Sequence, residues 1–461
     1  MKRSTFGLSL VLGLLAFAHG RTEDRYKVHE WGTFTVLQDE QGRPLPGVNV
    51  NEESLPPFVH RLYRGLAPQE HELSPLGYRY SKGLPASYSA ALMRMETPII
   101  YIYPPASPNP PRLDVSVRFR GGWISEWYPN AEVVSPGFQR QSKTLGALTP
   151  QTTGSIHWKG LRANAAGPPP KTDEPVWLAP RNVAAAQLAT EKNEREKYLF
   201  YRGVANIEAP LQVLRTSDRE LQVRFNRSAR NLQQDRMTFN ALWLADIRRD
   251  GSLAFRELPS MDSENVLKTA ATFAEADYRK SNMAALRASM REVLQTEGLR
   301  EDEADAMLNT WRVSYFQSPG LRLFFTLPRT WTDAVLPLEF SQPADMERVM
   351  IGRIEIVTPE HRSILKKLMA CQVSPSTWLW KEVNQLPPQQ RSEFWREVVR
   401  GRKRLSDYDL KIPEDYQAFL RLGRFRDALV MDQLRREPTE NLKQFVQVYR
   451  LQFQDHLQAK E

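Results

Sequence analysis

The spacing of hydrophobic and polar positions changes period along the chain. From Tyr26 to about Pro259 it runs in short β-type stretches separated by Pro and Gly. The first, Tyr26 to Val36 (YKVHEWGTFTV), is rich in strand formers and has no apolar repeat at helical spacing, which predicts a β-strand. Alternation places His29, Trp31, Thr33 and Thr35 on one face and Val28, Glu30, Phe34 and Val36 on the other. Gly32 leaves room for a bend, a bulge or a close neighbour. Further strands are predicted at Thr97 to Tyr103, Leu113 to Arg120, Gly154 to Leu161, Tyr198 to Val204 and Leu221 to Phe225. Ala241 to Arg248 and Ser252 to Glu257 flank Asp250-Gly251, a strong hairpin signal.

Near Asp262 the period becomes helical. Met283, Leu286, Met290, Val293 and Leu294 form one stripe ending at Gly298, and Ala304, Met307, Leu308 and Trp311 form a second, with Glu301, Asp302 and Glu303 at its N-terminal end. Strand patterns return at Leu321 to Thr326, Val335 to Phe340 and Arg348 to Val357, and beyond Thr358-Pro359 every stripe is helical. The piece from Tyr416 to Tyr449 is similar to a single HEAT-type helical pair, too little for a solenoid. The pattern predicts an α+β chain with an antiparallel β-sandwich-like body over residues 21–357, inserted helices at about 262–312 and an all-helical C-terminal domain over 358–461.

Composition adds compartment. Lys2 and Arg3 precede an apolar run from Phe6 to Ala18, and Ala18-His19-Gly20 carries small residues where a signal peptidase requires them. Residues 1–20 are therefore expected to be a signal peptide, with an exported protein, periplasmic or extracellular, beginning near Arg21. That run is too short to cross a bilayer, so no membrane span is expected after cleavage. The single cysteine, Cys371, rules out an internal disulfide and Cys-based zinc or iron–sulfur sites. Loss of Lys2 and Arg3 lowers the formal charge from +9 to +7, a modest excess for this length that suits anionic surfaces such as envelope polymers. No nucleic-acid-binding module is present in the sequence.

Three polar clusters interrupt apolar strands: His29-Glu30, Arg94-Met95-Glu96, and Glu126 within WISEWY. Buried carboxylates need counter-charges or cations. One arrangement that provides them is a structural ion-pair network, in which Arg94 and Glu96 pair with each other or across strands. A second is a divalent-metal or acid/base site using His29, Glu96 and Glu126 as ligands and Glu30 as base. A third is a non-catalytic ligand pocket lined by Arg94, Trp123 and Trp127. His29-Glu30 does not make a zincin site, because position 33 is Thr in a non-helical context. No G-x-S-x-G elbow and no Gly-rich phosphate loop occurs. The basic stretch Arg396 to Arg404 suits a solvated helix end or an anionic partner.

KVHEWGTFT, RMETPIIYIY, ISEWYPNA, EKYLFYRGV and DAVLPLEF through VMIGRIEIVTPE, in that order over residues 26 to 360, resemble a family of exported bacterial proteins of unassigned function. The resemblance implies an extracytoplasmic protein with a β-rich body and a variable helical C-terminal part, and no named reaction. Family members carry acidic residues in the segment matching Tyr315 to Gly320, where this chain has YFQSPG; the resemblance therefore implies that a site built on those acids is missing here. The expected function is a binding or scaffold protein of the envelope, with envelope components or another protein as partner through the C-terminal helices. The alternative is a metal-dependent hydrolase with a His/Glu site on the β-domain.

Overall fold

The computed structural model describes residues 25–48, 55–62, 80–81, 84–85, 88–137, 147–229, 237–398 and 403–451. The expected signal segment lies outside them, as do residues 399–402 of the basic stretch. The fold is mixed α+β, with one large, mostly antiparallel sheet and helices mainly in the C-terminal part. No helix among the described residues is long and apolar enough to cross a membrane.

The sheet contains β1 (Tyr26–Gln38), β2 (His60–Arg61), β3 (Met93–Tyr103), β4 (Leu113–Arg120), β5 (Gly122–Tyr128), β6 (Glu132–Val134), β7 (Thr153–Leu161) and β8 (Leu199–Ala205). It continues with β9 (Leu242–Ile247), β10 (Leu253–Leu258), β11 (Gly320–Thr326), β12 (Leu338–Phe340) and β13 (Ala344–Ile356). Its order is β10-β9-β11-β13-β1-β3-β8-β5-β7-β4-β12, with β2 on β5 and β6 on β7. β1 lies centrally, parallel to β13 on one side and antiparallel to β3 on the other.

Phe34 of β1 and Phe119 of β4 are separated by five steps along that order. A flat sheet would hold them about 24 Å apart, but their ring centroids are 6.3 Å apart. The sheet is therefore rolled around a core that includes Val28, Phe34, Val36, Ile100, Val117 and Trp158. Trp331, from the helix Arg329–Val335, packs edge-on against Phe34 and helps fill the roll. A small sheet of Leu211–Arg215, Glu220–Phe225 and Val266–Ala270 contributes Leu211, Val213, Leu221 and Val223 to the same core. The opposite face of β1 presents Trp31 to a second core, made with the helices Asn282–Thr296 and Glu301–Thr310. The alternation expected for β1 is thus realised. Gly32 sits at a register shift between Trp31 and Thr33, and a Cβ there would lie 2.9 Å from the Met350 sulfur.

The hairpin at Asp250-Gly251 forms between β9 and β10. Two expectations need correction. The helical insertion starts at Asn282, not near Asp262, because Val266–Ala270 pairs with Glu220–Phe225. Val335 closes a helix, and only Leu338–Phe340 is strand where Val335 to Phe340 was expected to be. Beyond Thr358, the helices Pro359–Ala370, Trp378–Gln385, Pro388–Val398, Glu414–Arg421, Arg426–Arg436 and Glu440–Val448 enclose a core that also takes in Leu37 and Val357 from the ends of β1 and β13.

Candidate functional site

His29 projects from the helix-covered face of β1 and reaches Glu303 in the first turn of the helix Glu301–Thr310. Its Nδ1 lies 2.8 Å from Glu303 Oε2, which also accepts the Arg300 backbone N–H at 2.8 Å; Glu303 Oε1 accepts the Tyr103 hydroxyl at 2.6 Å. An ionised carboxylate can only accept, so His29 Nδ1 is the donor to Glu303. Glu303 is fully buried and the His29 side chain is 12% exposed. The Arg300 guanidinium lies over the Tyr103 ring at 4.4 Å. Burial and the neighbouring Glu303 both push the Tyr103 hydroxyl far above its usual range. This is an oriented histidine at the rim of the sheet, with its own buried carboxylate.

The other proposed members of the metal site lie elsewhere. Glu30 points into the roll, where Tyr201 Oη donates to one oxygen and Arg348 Nε to the other at 2.6 Å. Burial works against the Arg348 charge, but Glu30, Tyr201 and Asp333 together outweigh it and raise the Arg348 pKa. Glu126 receives Arg202 Nε and, at 3.0 Å, Arg61 Nε. Glu96 receives Arg424 Nη2 at 3.0 Å from the C-terminal helical region. His29, Glu96 and Glu126 are therefore separated into three ion-paired networks, and Glu30, the expected base, into a fourth. Among the described residues no group of three or more His, Cys, Asp or Glu side chains is placed to hold a metal ion.

The residues expected to line a ligand pocket lie as follows. Trp123 is buried, donates from Nε1 to the Pro136 carbonyl at 2.8 Å and stacks near Tyr88. Trp127 is buried in the core of the roll. Neither indole forms an exposed platform. Arg94 is buried and does not hydrogen-bond to Glu96; it donates to the carbonyls of Leu92 at 3.0 Å and Ala91 at 3.4 Å.

The structure also joins residues that the sequence reading did not bring together. Register places Phe324, Arg353, Thr35 and Arg94 in one row across β11, β13, β1 and β3. Beside it, Glu355 meets Arg322 and Arg353, whose charges outweigh burial and lower its pKa. Two residues along β1 on the same face, the hydroxyls of Thr33 and Tyr315 hydrogen-bond. All of these side chains are buried. The C-terminal helices dock next to this belt through Arg362 on Glu40 at 2.7 Å, Arg436 on Asp39 at 3.1 Å and Arg249 on the Arg421 carbonyl at 2.7 Å. One arginine and one glutamate within the apolar run VMIGRIEI were the available signal for the Arg353 and Glu355 part of the belt.

No family model and no curated protein matches the chain. Among solved structures it is similar to the Fcho1 Mu homology domain of Danio rerio with bound Eps15 peptide, at 10% identity and a TM-score of 0.27, over 72% of this chain and 94% of that one. It is also similar to the yeast delta-COP-I mu-homology domain, at 6% identity and a TM-score of 0.22, over 72% of this chain and 96% of that one. Likenesses of this size transfer no function.

Proposed function

We propose that this is an exported, non-enzymatic binding or scaffold protein of the bacterial envelope. In this reading the rolled sheet and the small sheet packed on its core serve as a sandwich-like rigid body, and the C-terminal helices face a partner. One observation carries the proposal: every acid put forward for chemistry is held by an arginine, Glu30 by a tyrosine as well, and no two of the proposed metal ligands share a point. A hydrolase needs a convergent base and ligand set reachable from solvent. Trp380 supports a partner-facing role for the helices, since it is 48% exposed and lies 4.6 Å from the Trp395 ring between centroids; exposed aromatics of this kind are enriched at interaction surfaces.

The test is elemental analysis of the protein purified from Arg21 onward, beside folded His29→Ala and Glu96→Ala variants, with a screen of ester, peptide and glycoside hydrolysis. The expected result is no stoichiometric metal and no turnover. Near-stoichiometric metal lost in both variants would overturn the reading in favour of the hydrolase.

A further inference from the structure

The row through Thr35 carries a charge imbalance. Four neighbouring buried arginines each have a carboxylate: Arg202 has Glu126, Arg322 and Arg353 share Glu355, and Arg424 has Glu96. Among the described residues Arg94 forms no such pair. It is 0% exposed, its hydrogen bonds go to the backbone carbonyls of Leu92 and Ala91, just before its strand, and its Nε has no partner among the described residues. The nearest acid in sequence, Glu96, is engaged by Arg424. The Phe425 ring lies 5.0 Å from the Arg94 guanidinium carbon and gives partial compensation from its π face. Burial pushes the Arg94 pKa down to about 9; Glu96 opposes this and the Arg424 charge adds to it.

The neighbours of Arg94 are unsatisfied in the same sense. Thr35, its register partner on β1, is 0% exposed and its Oγ1 has no hydrogen bond among the described residues. Arg353, the register partner of Thr35 on the other side, is 0% exposed and its Nη1 has no hydrogen bond among the described residues. Directly opposed residues on one face of a sheet have Cβ atoms about 4.5–5.5 Å apart. Three adjacent strands therefore place unused donors side by side: an Arg94 Nε–H, a Thr35 hydroxyl and an Arg353 Nη1–H. A buried cation without a counter-ion, beside unused donors, is among the most costly arrangements a fold can hold.

We propose that Arg94 is the centre of a buried anion site, in which the Arg94 guanidinium and the Thr35 hydroxyl, with Arg353 beyond it, bind a small inorganic anion. The occupant is small because every flanking side chain is buried and Phe425 covers the Arg94 end. It neutralises the excess guanidinium charge where the C-terminal helical region meets the sheet. This site does not depend on the scaffold reading and would serve an enzyme equally well.

The experiment is thermal unfolding of the full mature chain with chloride, bromide or nitrate replacing gluconate at constant ionic strength. Wild type is expected to show a saturable rise in Tm with the small anion, and Arg94→Met to lose it. A wild-type Tm that does not depend on anion identity overturns the proposal, as does an Arg94→Met protein with the full response. Should Arg94→Met fail to fold, Thr35→Val tests the same point: the anion midpoint should rise about tenfold, the loss of one charge-assisted hydrogen bond, and an unchanged midpoint refutes the site. Crystals grown in bromide should show an anomalous peak within hydrogen-bond distance of Arg94, and none there would also refute it.

Discussion

Acidification should weaken this fold through His361 before it affects the carboxylates. His361 is the third residue of the helix Pro359–Ala370, the first helix of the C-terminal region, and it closes the N-terminal cap. Its Nδ1 accepts the Thr358 backbone N–H at 3.1 Å, and Thr358 Oγ1 accepts the His361 N–H at 3.4 Å. A protonated imidazole has two donors and no acceptor, so charging it sets N–H against N–H. Burial lowers its pKa most, and Glu355 opposes this; Arg362 and Arg249 lower it further, and Glu40 opposes. The result is about 4, against 6.5 for a free histidine. A base with a depressed pKa in the folded state contributes stability that is fully present above 6.5 and is lost as pH falls toward 4. Each pH unit is worth about 1.4 kcal/mol, giving a ceiling of about 3.4 kcal/mol; the ring keeps some solvent contact, so about 2 kcal/mol is expected. Urea unfolding at several pH values between 7 and 4 measures it. His361→Asn keeps a cap acceptor without a titrating proton and should flatten the slope between pH 6.5 and 5. Equal slopes for the two proteins in that window would refute the argument. Glu40 and Glu355, whose pKa values are lowered, add their own losses only below about pH 4.5.

Two further outcomes are expected. Gly203→Ala should yield no folded protein by circular dichroism, because its Cβ would lie 1.9 Å from the Trp123 carbonyl oxygen in the adjoining strand, whereas Gly251→Ala, with φ +81° and nothing within 4 Å, should cost only about 1–2 kcal/mol; near-equal melting temperatures would contradict this. Glu30→Gln should cost about 3–5 kcal/mol in denaturant unfolding by leaving Arg348 short of its buried partner, and adding Arg348→Met should restore part of that loss; if the second change restores nothing, the pair is not the source of the effect.

Elements with a local signature were legible in the sequence. Leu113–Arg120 alternates in burial as its letters alternate, and Asp250-Gly251 marks the hairpin it forms. Val266–Ala270 was not legible as strand, because it is a largely exposed edge whose only information is its partner, Glu220–Phe225. The polar clusters were found, but their meaning was not, since a sequence displays an acid without its counter-charge. Glu96 looked like a ligand until Arg424, 328 residues away, was seen to hold it. Glu303 was readable only as an acid favouring a helix N-terminus, and nothing local could announce that it also orients His29. Of the ion-pair network anticipated as one reading, the existence was inferable and the partners were not.

The parallel pairing of β1 with β13 has a consequence for the order of events in folding. Glu30 and Arg348, which join these strands, are 318 residues apart in the chain. A strand this central cannot be closed on both sides until nearly the whole body has been made. β1 must spend synthesis with one long row of amide and carbonyl groups unmatched, an aggregation-prone edge. Contacts of such sequence separation also slow folding, because the entropy of closing the loop is lost before the contact repays it. A chain that stops short of Ala344 therefore lacks more than its last strand: its first strand has no neighbour on one side, and the roll has no centre.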